Sequence, residues 1–258
     1  MDVLTRPSWW RERLTGAASG WWQLLWPHRC CLCAQRGAAG MDLCPYCLDL
    51  GWRNTDACLR CAMPLWAQAQ GQLPMQHGQD DAMEPATVCM ACQSYPGALR
   101  AVHAAWLYAA PIDALVRRYK FSGDLAAGKV LSQLMAAHRP PWLGPDHVLV
   151  PVPLHRQRLR ERGHDQAREL ARRLSRLAGV AWRDGLTRVV ATAAQSSLPL
   201  EQRQRNLRKA FAASGPVPGK VVLIDDVMTS GATLEAAAFA LHQGGAREVR
   251  AWVAARTP

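Results

Sequence analysis

Two carboxylates stand side by side at Asp225 and Asp226, directly after the apolar run Val221-Val222-Leu223-Ile224 and directly before Val227-Met228-Thr229-Ser230-Gly231-Ala232-Thr233. Paired acids at the end of a buried strand are costly unless something binds them. A vicinal diol and a magnesium-bearing ligand suit them, because adjacent carboxylates accept hydrogen bonds from both hydroxyls and attract the dication. The turn that follows adds the hydroxyls of Thr229, Ser230 and Thr233, with Gly231 where a ligand approaches the backbone. An Ala-rich helix predicted from about Leu234 to Gln243 aims its amino end at the same spot, an arrangement that holds a phosphate dianion. Either acids or a Thr/Ser-rich turn alone would read as an ordinary strand-turn-helix with polar capping. The chain lacks Gly-x-Gly-x-x-Gly and Gly-Lys-Ser/Thr, so dinucleotide and P-loop sites are excluded.

The second chemistry lies in the cysteines. All nine stop at position 92, and eight form the CxxC pairs Cys30/Cys33, Cys44/Cys47, Cys58/Cys61 and Cys89/Cys92. A CxxC turn lets two thiolates face one tetrahedral ion, and two turns close a Cys₄ zinc site with no open position for water. The spacing therefore predicts two structural zincs, paired first with second and third with fourth, with nested pairing as the alternative. Cys31 is left as a free thiol, or replaces Cys30 if the register slips by one. His28 and His77 read as surface histidines beside a full thiolate set. The module has few large apolar residues besides Leu43, Leu48, Leu50 and Trp52, so the metal supplies the folding free energy, on the order of 10–16 kcal/mol per site in peptides.

These residues need elements to position them. From Ala101 short apolar runs alternate with amphipathic stretches, the pattern of a parallel sheet flanked by helices. Strands are expected at Val102–Tyr108 and His147–Val152, and helices at Pro111–Tyr119, Asp124–Ala137 and His164–Leu177. The last has Ala167, Leu170, Ala171, Leu174 and Leu177 inward. Between strand and helix lies a predicted loop bearing His155, Arg156, Arg158, Arg160 and Arg162, at the strand end where ligands of open α/β sheets bind. Residues 151–220 hold 13 Arg and 2 Lys against 5 acids, nearly all of the chain's net +11. Such a segment fits a phosphate-rich partner, a small molecule or nucleic acid. Residues 66–84 read as a polar loop. Trp21, Trp22 and Trp26 share one face of an N-terminal helix that packs on the module or the core. The boundary between cysteine module and sheet falls near Pro96–Gly97. No apolar run of 18 residues exists, so a cytoplasmic protein is the expectation.

Residues 221–233 resemble the phosphoribosyl-pyrophosphate (PRPP) signature of type I phosphoribosyltransferases. PVPLHRQRLRERGHDQA at 151–167, TAAQSSLPLEQRQRNLRKAF at 192–211 and the cysteine-rich ribbons extend the resemblance to the ComF family, associated with competence and DNA uptake. The resemblance implies a Trp-rich helical head at 1–27, a double zinc ribbon at 28–96 and an α/β phosphoribosyltransferase-like domain at 97–258. It implies that Asp225 and Asp226 hold the ribose 2- and 3-hydroxyls and stabilise charge on the ring, and that Met228, Thr229, Ser230, Gly231, Ala232 and Thr233 wrap the 5-phosphate. Pyrophosphate with Mg²⁺ falls to the loop Leu154–Arg162, through Leu154, His155, Arg156, Arg158 and Arg160, with Arg156 counted among the catalytic residues. Gln195–Asn206 corresponds to a segment covering the site, and Tyr119-Lys120 to a motif at its edge. Asp165 stands where relatives often carry Asn, and Phe121-Ser122 is a variant pair. No second fingerprint identifies an acceptor. The implied function is PRPP/Mg binding in DNA uptake, with phosphoribosyl transfer as the enzymatic form. The alternatives are a non-catalytic single-stranded DNA-binding competence protein and a PRPP-sensing regulator.

Overall fold

The computed structural model describes residues 27–38, 40–66, 87–95, 97–189 and 209–258. The Trp-rich head, nearly all of the polar loop with His77, Pro96 and the Gln195–Asn206 segment lie outside them. In chain order the elements are α1 (Pro45–Asp49), α2 (Met90–Ser94), β1 (Val102–Leu107), α3 (Ile112–Phe121), α4 (Leu125–Ala137), β2 (Val148–Pro151), α5 (Arg156–Arg162), α6 (Gln166–Ala178), β3 (Ala181–Trp182), β4 (Leu186–Arg188), β5 (Phe211–Ala213), β6 (Lys220–Met228), α7 (Ala232–Gln243) and β7 (Glu248–Arg256).

Five strands form a parallel sheet in the order β1-β7-β6-β2-β3. The central strands are apolar without alternation because both faces are covered. Val222, Ile224 and Trp252 join the core under α3, α4 and α6, while Val221, Leu223 and Val253 join the one under α7. Residues 52–54 run antiparallel along the outer side of β1, through the Arg53–Trp106 bridge and the Leu107 N–H to Trp52 carbonyl bond. They close that edge to further strand pairing. β4 and β5 form a separate antiparallel pair.

Local chemistry sets the helix ends. The Asp124 carboxylate accepts the N–H groups of Ala126 and Ala127 at the start of α4. Asp165 accepts the Arg168 N–H at the start of α6, a capping bond that Asn makes equally well. The inward stripe of α6 is as expected at Ala167, Leu170, Ala171 and Leu174, but Leu177 is exposed, because the helix outruns the sheet it packs on.

The cysteine module does not stand clear of the sheet. Met41, Leu43 and Leu48 are buried in one cluster with Trp106, Ile112 and Leu115. Its two halves repeat one design. Cys30–Cys33 and Cys58–Cys61 are each followed by an alanine with positive φ, Ala34 at 62° and Ala62 at 53°. Cys44 and Cys89 each stand at the N-cap position of a one-turn helix, α1 or α2, and Cys44 Sγ makes the capping bond in the first.

Candidate functional site

A cleft of about 420 Å³ opens at the carboxyl ends of β2 and β6. Its floor is β6, which runs on through both acids to Met228 because β7 stays paired with it through Asp225–Val253, Val227–Ala255 and Met228–Arg256. Asp225 and Asp226 line it. Asp226 is 3% exposed, and Lys120 Nζ, from the end of α3, donates to its Oδ1 at 2.8 Å. The Asp225 carboxylate accepts the Asp226 N–H at 2.8 Å. Burial, and then the charge on Asp226, push the Asp225 carboxyl up to about 7. A bound cation or hydrogen-bond donors would remove that penalty.

The basic wall differs from expectation. Residues 156–162 form a helix where the sequence reading has a loop. His155 caps it, its Nδ1 accepting the Gln157 N–H at 3.3 Å, and Gly163, at φ 74°, ends it. Positions four apart on a helix share a face, and positions two apart lie about 200° around. Arg158 and Arg162 therefore line the cleft with Leu154, whereas Arg156 and Arg160 are exposed on the other side and His155 is engaged as a cap. The structure does not bring Arg156, Arg160 or His155 into the lining.

Three further residues complete the wall. Arg188 enters from β4, its guanidinium 5.3 Å from the Phe211 ring centroid. Burial and then the charge on Arg158 pull its pKa down, and Asp225 opposes this. Gln166, buried, accepts from Arg162 through its Oε1 at 3.2 Å. Tyr108, just past β1, lies opposite. Arg188 and Gln166 had no local sequence signal, since their approach depends on strand pairing and helix packing.

Thr229 and Thr233 line the cleft, and Ser230 is exposed beside them. Met228 is buried beneath the turn rather than facing the cleft. Gly231 has φ 79°, and a Cβ there would come within 2.4 Å of Met228 Cε, so the turn needs glycine. The residue at the N-cap of α7, Gly231, has no side chain to offer, and the Ser230 hydroxyl accepts the N–H of Ala232, the first helical residue, at 3.4 Å. The backbone N–H groups of this helix end face outward with the positive end of the helix dipole.

The cysteines assemble sequentially. Cys30, Cys33, Cys44 and Cys47 form one group and Cys58, Cys61, Cys89 and Cys92 the other, with ligand atoms within 4.8 Å of one another. Four sulphurs so close fit a tetrahedral zinc ion. Backbone N–H groups of Cys47 and Cys89 point at Cys44 Sγ and Cys58 Sγ, at 3.4 and 3.3 Å. Cys31 stands outside the first group, half-buried, and burial raises its thiol to about 11. His28 is not in that group either, and its Nδ1 pairs with Asp42 Oδ1 at 2.7 Å.

The first group is tied to helices: Lys129 Nζ reaches Asp42 at 3.0 Å, Gln133 donates to the Gly40 carbonyl, and Arg118 donates to the Cys31 carbonyl. The second is tied to strands. Val102 N–H donates to the Leu59 carbonyl, and Arg256, 4% exposed, donates from Nε to the Cys61 carbonyl at 3.0 Å. Burial lowers the Arg256 pKa, and charge on Cys61, Cys58, Cys89 and Cys92 opposes this. Among the described residues no helix is long and apolar enough to cross a membrane.

The profile of the family described as "Phosphoribosyl transferase domain" matches residues 161–258. The "DNA utilization protein YhgH" of Salmonella typhimurium strain LT2 is 30% identical over 239 residues, 90% of this chain and 98% of that protein. "Competence protein F" of Haemophilus influenzae is 31% identical over 159 residues, 58% of this chain and 69% of its own. "Competence protein ComFC" of Streptococcus pneumoniae is 27% identical over 169 residues, 65% of this chain and 74% of its own.

Proposed function

The chain belongs to the ComF family of competence and DNA-utilization proteins and carries a phosphoribosyltransferase domain; on that premise we infer that its cleft binds PRPP together with Mg²⁺. The observation that carries this reading is the cleft itself, which gathers two adjacent carboxylates, Lys120, three arginines and the Thr229–Thr233 turn around one volume. In this reading Asp225 and Asp226 accept the ribose hydroxyls. The 5-phosphate rests on the turn and the amino end of α7, where N–H groups and dipole both favour an anion and the Ser230 hydroxyl adds a donor. Arg158, Arg162 and Arg188 meet the pyrophosphate, and Arg156 and Arg160 drop out of that role. Bound Mg²⁺ would supply further neutralisation of the leaving group. Positive charge growing on the ribose ring would be stabilised by the paired acids, so catalysis would be electrostatic and positional.

Calorimetric titration of PRPP with Mg²⁺ into the zinc-loaded protein tests this. Wild type is expected to bind, and Asp225→Asn is expected to weaken binding by about a hundredfold, the scale of losing a charge-assisted contact. Equal affinity in the two proteins would overturn the site assignment. Pyrophosphate release on addition of an acceptor would distinguish turnover from sensing.

A second reading has its own observation. Arg156 and Arg160 on α5 and Arg176 on α6 are exposed and outside the cleft lining, with Arg172 paired to Glu169, and such arginines suit the phosphates of single-stranded DNA. Affinity for an oligonucleotide that falls steeply with salt, and falls further in Arg156→Ala/Arg160→Ala, supports it. Salt-independent affinity contradicts it.

A further inference from the structure

β6 and β7 end side by side, with Met228 opposite Arg256. The Arg256 side chain turns inward instead of to solvent and spends its donors on backbone carbonyls. Nε takes that of Cys61, while Nη1 takes that of Met228 at 3.2 Å and that of Thr257. Among the described residues no carboxylate forms an ion pair with it. A buried guanidinium needs nearby negative charge. A dication held by four thiolates leaves a net negative charge, and the second cysteine group, whose Cys61 Arg256 touches, is placed to supply it.

The other end of this link is the turn. Met228 is the last residue of β6, and its carbonyl is held twice, by Arg256 and by the Thr257 N–H at 3.0 Å. Thr229 follows at once. The Arg256 carbonyl in turn accepts the N–H of Tyr108, which lines the cleft. Among the described residues the first cysteine group makes no bond to β7 or to this turn, its bonds going to α3 and α4.

We propose that Arg256 is a positioning residue that fixes the Met228–Thr233 turn to the second cysteine group, so that metal in that group, and not in the first, sets the turn's affinity for a phosphate-bearing ligand. Ligand affinity rests on the PRPP reading above, whereas the hold on the turn does not, so the two are measured separately.

Hydrogen–deuterium exchange of the full-length, zinc-loaded protein without ligand compares wild type with Arg256→Met, Arg256→Lys, Cys92→Ser and Cys33→Ser. Amides of 228–233 are expected to exchange about tenfold or more faster in Arg256→Met and Cys92→Ser. Arg256→Lys is expected to fall between, because an ammonium keeps the charge and one of the carbonyls. Cys33→Ser is expected to loosen α4 and leave the turn at its wild-type rate, with α6 unchanged in every protein. PRPP with Mg²⁺ titrated into the same set is expected to bind about tenfold more weakly wherever the turn exchanges faster. Wild-type exchange at 228–233 in both Arg256 variants overturns the proposal, as does equal loosening by Cys33→Ser. Exchange as expected with no PRPP binding to wild type retires the ligand and leaves the Arg256 link standing.

Discussion

The two cysteine groups share a CxxC turn closed by a left-handed alanine and a second CxxC that begins a one-turn helix, yet they are anchored to different parts of the sheet. Cys30, Cys33, Cys44 and Cys47 rest on α3 and α4 through Asp42, Lys129 and Gln133. Cys58, Cys61, Cys89 and Cys92 rest on the ends of β1 and β7 through Leu59 and Arg256. Identical ligand chemistry therefore gives different consequences. The first group is held by helices that flank the sheet, whereas the second is held at the start of β1 and at the end of β7, beside the turn to which we assign the 5-phosphate.

The largest expected effect comes from removing a zinc ligand that stands at the start of a one-turn helix. Cys44→Ser and Cys89→Ser should each lower zinc content from two ions to one per chain, measured by elemental analysis, and cost several kcal/mol of stability. Equal loss of phosphate-ligand affinity in both would erase the distinction between the groups.

Next is Asp226→Asn, which leaves Lys120 facing a neutral group in a largely buried setting. Loss of about 2–3 kcal/mol is expected in chemical denaturation, less than for a fully buried pair because Lys120 reaches solvent. Both zinc ions should remain, which separates damage to the cleft from damage to the cysteine module.

A smaller effect is expected at Asp42. Burial would raise its carboxyl, but His28 and Lys129 more than offset this and hold it below its ordinary value. Asp42→Ala should cost about 1 kcal/mol and leave PRPP titration unchanged. A weakened titration would mean that the first group also reaches the cleft.

The smallest is a pH slope. Asp225 keeps its proton up to about 7 in the folded state against 3.8 in a free side chain. Folded protein thus binds more protons than unfolded across that window, so this carboxyl's contribution to stability falls as pH rises from about 4 to about 7 and is flat above. Asp225→Asn should remove that part of the slope in denaturation midpoints. Mg²⁺ and PRPP favour the ionised form, so their affinity should rise over the same range.

Much of this was legible in local sequence. The Asp225-Asp226 pair with its Thr/Ser turn, and the four CxxC turns, are short-range patterns whose chemistry follows from spacing, whereas the choice of sequential over nested partners came from the fold. The arginine wall was legible only in composition. Reading Leu154–Arg162 as a loop puts Arg156, Arg158 and Arg160 on the pyrophosphate and leaves Arg162 out, and only the helical period separates Arg158 and Arg162 from Arg156 and Arg160. Lys120 was placed at the edge of the site, but its bond to Asp226 joins residues 106 apart. Arg188 and Arg256 had no local signal, because their roles arise from strand pairing that brings β4 to the cleft and β7 beside β6.

A crystal structure of the zinc-loaded protein grown with PRPP and Mn²⁺ in place of Mg²⁺ would show the cleft occupied. The 5-phosphate is expected on the backbone N–H groups of 229–233, the ribose hydroxyls on Asp225 and Asp226, and the pyrophosphate with the anomalous Mn²⁺ signal facing Arg158 and Arg162. Density for PRPP elsewhere, or a cleft occupied only by water at saturating PRPP, would contradict this assignment.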